Sequence, residues 1–154
     1  MSSRPSWDTY FASLAQLAAT RSTCVRRKVG CVIVRENRVL TTGYNGALPG
    51  EAHCTEVGCY MEKGHCVRTN HAEANAVSEA ARRGVSLEGS VAYVTLQPCW
   101  TCLKLLLAAG ISTVWYIKPY PVVGNQLYDK YVGTNVLKQL QLHEPEPTPV
   151  AVLI

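Results

Sequence analysis

Four residues of this 154-residue chain have types and spacing that could do chemistry: His71, Glu73, Cys99 and Cys102. They occur as His71-Ala72-Glu73 and as Pro98-Cys99-Trp100-Thr101-Cys102. Cys99 and Cys102 are three apart, so both sulfurs can face one point from a single helical turn. A helix N-terminus lowers a thiol pKa, which favours the thiolate that zinc needs. With His71 they make three protein ligands, the number a catalytic zinc uses while keeping its fourth position for water. Glu73 can reach that water without binding the metal. Each part also has an ordinary reading. Asn70 followed by Glu73 is a helix-capping pattern, and a lone Cys-x-x-Cys is often half of a structural site. The combination favours catalysis, because a structural site has no use for a carboxylate beside an open metal position.

Seven cysteines in all, an odd number, cannot form a fully paired disulfide framework. The start, MSSRPSWDTY, has no apolar signal region, and no run of about 18 apolar residues suggests a membrane span. A cytoplasmic protein (host cytoplasm, if viral) is expected, whose cysteines are metal ligands or catalytic groups. Cys31 lies in the apolar run VGCVIV and reads as a small buried hydrophobe. Cys24, Cys54, Cys59 and Cys66, with His53 and His65 nearby, form a second candidate group or are free thiols on a loop. The net charge of +4 fits a small anionic substrate. There is no basic stripe with interleaved aromatics, so nucleic acid is not an expected partner.

These groups need elements to position them. Ser6 is placed to cap a first helix carrying Tyr10, Phe11, Leu14, Leu17 and Ala18 at helical spacing. Residues 29–34 and 39–44 read as a strand hairpin broken at Glu36-Asn37. Residues 71–83 read as a helix with Asn70 as N-cap and Gly84 as stop, and 99–109 as a second, opened by Pro98 and ended by Gly110. Residues 90–96 and 113–117 are strands, and a last helix is expected over about 125–140. The glycine- and proline-containing segment 45–70 is a long loop of the kind that is usually functional. Alternating strands and helices imply an α/β layered fold with a mixed sheet, in a single domain over 1–154 with a cysteine-rich insert at about 47–70. The proline-rich tail 143–154 has no assigned element.

The segments HAEANA (71–76) and QPCWTC (97–102) resemble the zinc-dependent cytidine/deoxycytidylate deaminase superfamily, whose signature is His-x-Glu followed by Pro-Cys-x-x-Cys. STCVRRKVGCVIV (22–34) and TTGYNG (41–46) extend the resemblance, and Gly43-Tyr44-Asn45-Gly46 resembles the deoxycytidylate deaminase branch. The resemblance implies a three-layer α/β/α fold around a central mixed sheet of about five strands. It implies zinc-dependent hydrolysis of dCMP to dUMP and ammonia, supplying dUMP for dTTP synthesis, with Glu73 as proton carrier. It also implies that Asn45 bonds the sugar (its other reading is a turn residue) and that the Ala72 backbone contacts the base. Arg26, Arg27 and Lys118, with Tyr120, are nominated for the phosphate, each with the alternative of a solvated surface charge. Some members carry a second, structural zinc, and here Cys24, Cys54, Cys59 and Cys66 are its candidate ligands. Members of this branch are commonly hexamers activated by dCTP and inhibited by dTTP, with the effector at Gly43, Tyr44, Asn45 and Gly46. Competing readings are a deaminase of another cytosine nucleoside or nucleotide, one acting on tRNA adenosine, and a non-catalytic zinc module that binds partners.

Overall fold

The computed structural model describes residues 4–121 and 125–142; the tail 143–154 lies outside the described residues. Helix α1 (Trp7–Ala19) starts at Ser6, whose hydroxyl oxygen accepts from the Thr9 backbone N–H at 3.2 Å. Strands β1 (Gly30–Arg35) and β2 (Arg38–Tyr44) form the expected hairpin. Its turn residues Glu36 and Asn37 have φ of 53° and 58°, the positive values that two-residue hairpin turns need. The insert is not a bare loop. It contains β3 (Gly46–Ala47), α2 (Cys54–Val57), β4 (Met61–Glu62), β5 (His65–Cys66) and β6 (Thr69–Asn70). Helix α3 (Ala72–Arg83), β7 (Val91–Leu96), α4 (Trp100–Ala108) and β8 (Thr113–Lys118) follow. The described chain closes with α5 (Gln126–Asp129) and β9 (Leu137–Gln139).

The expected helix over 125–140 is corrected. Only its first turn forms, capped by the Asn125 side chain, which accepts from Tyr128 N–H at 2.7 Å. Gly133 then takes φ 76°, a value that ends helical continuation. The chain turns to give β9, which pairs in parallel with β8 through Val114↔Leu137 and Tyr116↔Gln139. The fifth strand of the sheet thus comes from a segment expected to be helical. The α3 boundary also shifts by one position, with His71 rather than Asn70 as N-cap.

The central sheet has the order β2-β1-β7-β8-β9. Pairing is antiparallel from β2 through β7 and parallel from β7 to β9. Alternate residues of each strand face opposite layers. Cys31, Ile33, Ala92, Val94, Val114 and Tyr116 pack under α3 and α4 with Ala72, Ala76 and Leu103. Val32, Val34 and Tyr93 pack on the other face against Phe11, Ala12 and Ala15 of α1. The result is the three-layer α/β/α arrangement. On the α1 side the approach is close: a Cβ on Gly30 would stand 2.0 Å from the Ala15 carbonyl oxygen.

Tyr93 is buried beneath α1, and its hydroxyl donates to the Asp8 carboxylate. Burial, reinforced by Asp8, raises its pKa above the ordinary 10.0. A phenol whose folded pKa is raised contributes stability that is complete below the unfolded value and is lost as pH rises through the folded one. Tyr93→Phe is therefore expected to lower unfolding free energy by about 1 kcal/mol at neutral pH and to weaken the alkaline decline. Urea titrations at neutral pH and above pH 10 check this; an unchanged alkaline slope in the variant would remove Tyr93 as its source.

Candidate active site

One end of the sheet collects the termini that matter. The register pairs Gly30 with Tyr44, Cys31 with Val94 and Leu96 with Lys118. The start of β1 and the ends of β2, β7 and β8 therefore lie together, and in open α/β sheets ligands bind outside the carboxyl ends of the parallel strands. A cavity of about 220 Å³ opens there.

His71 and Cys99 occupy the N-cap positions of α3 and α4, with extended backbone (ψ 154° and 168°), and neither side chain makes a capping bond. Cap positions usually hold Ser, Thr, Asp or Asn, which bond the first turn. Here the two side chains leave their helices and meet. His71 Nδ1 lies 3.3 Å from Cys102 Sγ and 3.7 Å from Cys99 Sγ, and the three donor atoms all lie within 4.8 Å of one another. Tetrahedral zinc, with bonds of about 2.3 Å to sulfur and about 2.1 Å to nitrogen, places such atoms about 3.5 Å apart. The three donors fit that ion, and Nδ1 is the His71 atom turned toward the two sulfurs.

The electrostatics suit a cation. The Cys102 thiol hydrogen-bonds Cys99 and, with His71, brings the Cys99 pKa down to about 4 against the effect of burial. The same hydrogen bond, together with burial, pushes Cys102 up. His71 is raised by its hydrogen bond to Cys99, partly opposed by burial. Glu73, only 4% exposed, reaches the same cavity. Its pKa is raised by burial, which suits a carboxylate that must accept and then return a proton.

Other expected site residues divide clearly. Ala72, Arg26, Arg27 and Tyr120 line the cavity with Glu73, whereas Lys118 does not and lines a neighbouring one with Arg27 and Lys28. Asn45 also lines it, but its amide is already engaged: Oδ1 accepts from Val29 N–H at 2.8 Å and Nδ2 donates to the Arg27 carbonyl at 2.7 Å. Asn45 is first a brace for the chain entering β1. Gly43, Tyr44 and Gly46 are not on the cavity wall. Tyr44 has the Arg21 guanidinium 5.9 Å from its ring centroid.

Gln97 carries a role that the sequence reading passed over. Its Oε1 accepts from Tyr120 N–H at 3.0 Å and its Nε2 donates to the Tyr128 hydroxyl at 3.1 Å. The buried Tyr128 donates in turn to the Pro98 carbonyl at 2.6 Å. The loop that presents Cys99 is thereby tied to the segment after β8. The one available signal was a polar residue between a strand and Pro98.

In the insert, the sulfurs of Cys54, Cys59 and Cys66 lie within 4.8 Å of one another, and Cys54 and Cys66 are 3.6 Å apart. Two zinc–sulfur bonds at a tetrahedral centre span about 3.8 Å, so these three fit a metal as well. Cys24 is not in that group; it is buried and lines the catalytic cavity. Burial pushes Cys66 up, but hydrogen bonds from backbone groups and from the Cys54 thiol bring it to about 7, while burial and both neighbouring thiols raise Cys54 to about 12.

Gly43 has a packing duty. A Cβ there would stand 2.3 Å from the Ala72 carbonyl oxygen and 2.5 Å from the Ala76 nitrogen, while one on Gly46 would meet only side-chain atoms, at 3.5 Å or more. Gly43→Ala is expected to destabilise by about 1–3 kcal/mol and to reduce turnover by displacing the turn that bears His71 and Glu73. Gly46→Ala is expected to be mild in both. Melting temperatures and rates check the contrast, and equal effects at the two positions would contradict it.

Residues 5–118 match the cytidine and deoxycytidylate deaminase zinc-binding region. The chain is 46% identical over 143 residues to ComE operon protein 2 of Bacillus subtilis, covering 92% of this chain and 75% of that one. It is 44% identical over 128 residues to a deoxycytidylate deaminase of Mycobacterium phage D29, covering 75% and 98%. The deoxycytidylate deaminases of fission and budding yeast are longer, and the chain spans 38% and 39% of their lengths. The dCMP deaminase of cyanophage S-TIM5, solved in complex with dCMP and dUMP, superposes with a TM-score of 0.75 at 28% identity, covering 90% of this chain and all of that one.

Proposed function

Because the chain belongs to the cytidine and deoxycytidylate deaminase family, a family of hydrolytic enzymes, we propose that it converts dCMP and water to dUMP and ammonia. The observation that carries this reading is the convergence of His71, Cys99 and Cys102 beside the buried carboxylate of Glu73. A zinc held by those three donors would supply Lewis acidity and an activated water at the cavity floor. Glu73 has the protein's part of the chemistry. Its carboxylate takes a proton from the attacking water and delivers it to N3 as the C4–O bond forms, then takes the proton of the new C4 hydroxyl and gives it to the amino group, so that ammonia leaves as the C4–N bond breaks and the C4=O bond forms. The Ala72 backbone, on the cavity wall, is proposed to contact the base.

Supplying dUMP for dTTP synthesis is the role consistent with this product. Regulation by dCTP and dTTP is proposed at Gly43, Tyr44, Asn45 and Gly46. Its support is mechanical: Asn75 Nδ2 donates to the Tyr44 carbonyl at 2.8 Å and Thr41 Oγ1 to the Ala76 carbonyl at 2.8 Å, so movement of β2 would reach α3. A homohexamer is proposed on the same family resemblance, as is a cytoplasmic site of action. Among the described residues no helix is long and apolar enough to cross a membrane.

Metal-replete protein is expected to turn over dCMP far faster than deoxycytidine, CMP or dCTP, and to be inert on tRNA adenosine. Glu73→Gln is expected to keep its zinc and lose about 10²–10⁴-fold in kcat; a near-normal rate would remove Glu73 from the chemistry. Activity on none of the cytosine substrates would redirect the site to tRNA adenosine or to a binding role.

A second, structural zinc is proposed at Cys54, Cys59 and Cys66, with Cys24 as the candidate fourth ligand. It would pin an insert with little apolar content. Elemental analysis is expected to give two zincs per chain, falling to one in Cys59→Ser. One zinc in the unaltered protein would end the second site, and two in Cys24→Ser would take Cys24 out of the ligand set.

A further inference from the structure

We infer that Tyr128 is a positioning residue for the metal ligand Cys99, holding the residues on both sides of it from outside the catalytic cavity. The inference deepens the deamination reading above and rests on its metal centre. Cys99 needs an outside hold more than Cys102 does. Cys102 lies within α4 and is 3% exposed, so helix and core fix it. Cys99 is only half-buried and precedes the first turn, on extended backbone with no side-chain capping bond. Its carbonyl joins the helix, accepting from Leu103 N–H at 2.9 Å, but Gln97 and Pro98 before it belong to no helix or strand. A metal–ligand distance tolerates only about 0.2 Å of drift, so the loop that delivers this sulfur must be held.

Tyr128 supplies that hold. Its hydroxyl donates to the Pro98 carbonyl at 2.6 Å and accepts from Gln97 Nε2 at 3.1 Å. The peptide unit is planar, so fixing the Pro98 oxygen also fixes the nitrogen and Cα of Cys99. On the far side of the ligand, the Tyr128 ring meets Trp100 edge-on, with centroids 6.1 Å apart and planes at 78°. Trp100 is closed in further by Tyr131, its centroid 6.3 Å away, and by the Lys104 ammonium at 5.4 Å. One side chain therefore touches residues 98 and 100, with the ligand between them. Tyr128 has a fixed place itself: it is 1% exposed in the main core, and its backbone N–H is held by the Asn125 cap. A buried phenol needs partners for its hydroxyl, and this one spends both donor and acceptor on the loop that carries Cys99. Tyr128 does not line the cavity that holds Glu73, so it acts through Cys99 and not on the substrate. It also lies outside residues 5–118, the part of the chain that matches the family's zinc-binding region.

The test compares unaltered protein with Tyr128→Phe, which keeps the ring against Trp100 and removes only the hydroxyl, and with Tyr128→Leu, which removes both contacts. Zinc release to a chromogenic chelator is expected to be about 10- to 100-fold faster in Tyr128→Phe, and faster again in Tyr128→Leu. With dCMP, kcat is expected to fall in the same order at nearly unchanged KM. Release is repeated with Cys59→Ser, which separates the insert's metal from that of the active site, and the acceleration is expected to persist there. Unchanged release and kcat in Tyr128→Phe overturn the inference. So does a loss carried by KM alone, or a lowered melting temperature with release unchanged, since either would make Tyr128 merely structural. Failure of the deamination reading has a different signature, because release needs no turnover. Protein that deaminates no cytosine substrate, yet holds zinc and loses it faster in Tyr128→Phe, upholds the role of Tyr128. Unaltered protein that binds no zinc overturns both.

Discussion

The structure depends on bringing two helix N-caps together so that a histidine nitrogen and two sulfurs share one point. His71 and Cys99 are on different helices, 28 residues apart, and neither position tolerates drift, because a metal bond is lost over a few tenths of an ångström. The sheet order provides the placement. Placing β7 between β1 and β8 puts the end of β7, which feeds α4, beside the entry to β1 and the end of β2. Helix α3 then settles on β2, where Gly43 lets the Ala72 carbonyl approach. Giving up ordinary N-capping at both helices is a local loss that metal binding would offset, since each capping bond is worth about 1 kcal/mol.

Around that point lies a shell of polar ties between backbone and side chain. Thr41 and Asn75 lock α3 to β2; Asn45 holds the segment entering β1; Gln97 and Tyr128 hold the loop before α4. No buried side-chain nitrogen or oxygen among the described residues lacks a partner. This matters for Glu73, whose burial raises its proton affinity only while the surrounding wall stays fixed and keeps bulk water away. Rigidity of the shell and basicity of the carboxylate are the same fact seen twice.

The insert is built on different terms. Its elements are two to four residues long, too short to hold themselves by backbone bonding, and Leu48, Val57, Tyr60 and Met61 are exposed. Three converging thiols offer it a metal cross-link. His65 and Cys66 also line the catalytic cavity, so order in the insert bears directly on the shape of the substrate site.

Some of this was legible in the chain alone. The convergence of His71, Cys99 and Cys102 beside Glu73 could be anticipated because three-residue spacing already put both sulfurs on one helical turn. The strands at 30–35, 91–96 and 113–118 announced themselves by β-branched runs, and Ser6 announced the first helix by its cap chemistry. Local sequence carries local geometry, so each of these was decided within a few residues. The segment after residue 125 was not: its helical periodicity yielded to the open edge of β8, because backbone pairing offered by a distant strand is invisible to local pattern. Nor could spacing tell that Asn45 braces Arg27, that Arg27 and not Lys118 faces the cavity, or that Cys24 lies on the cavity wall while the sulfurs of Cys54, Cys59 and Cys66 converge. Those are distances between residues far apart in sequence. Residue types and short spacings narrowed the chemistry open to the chain, and the fold selected which side chains meet, because only packing sets the separation of groups that lie far apart along the chain.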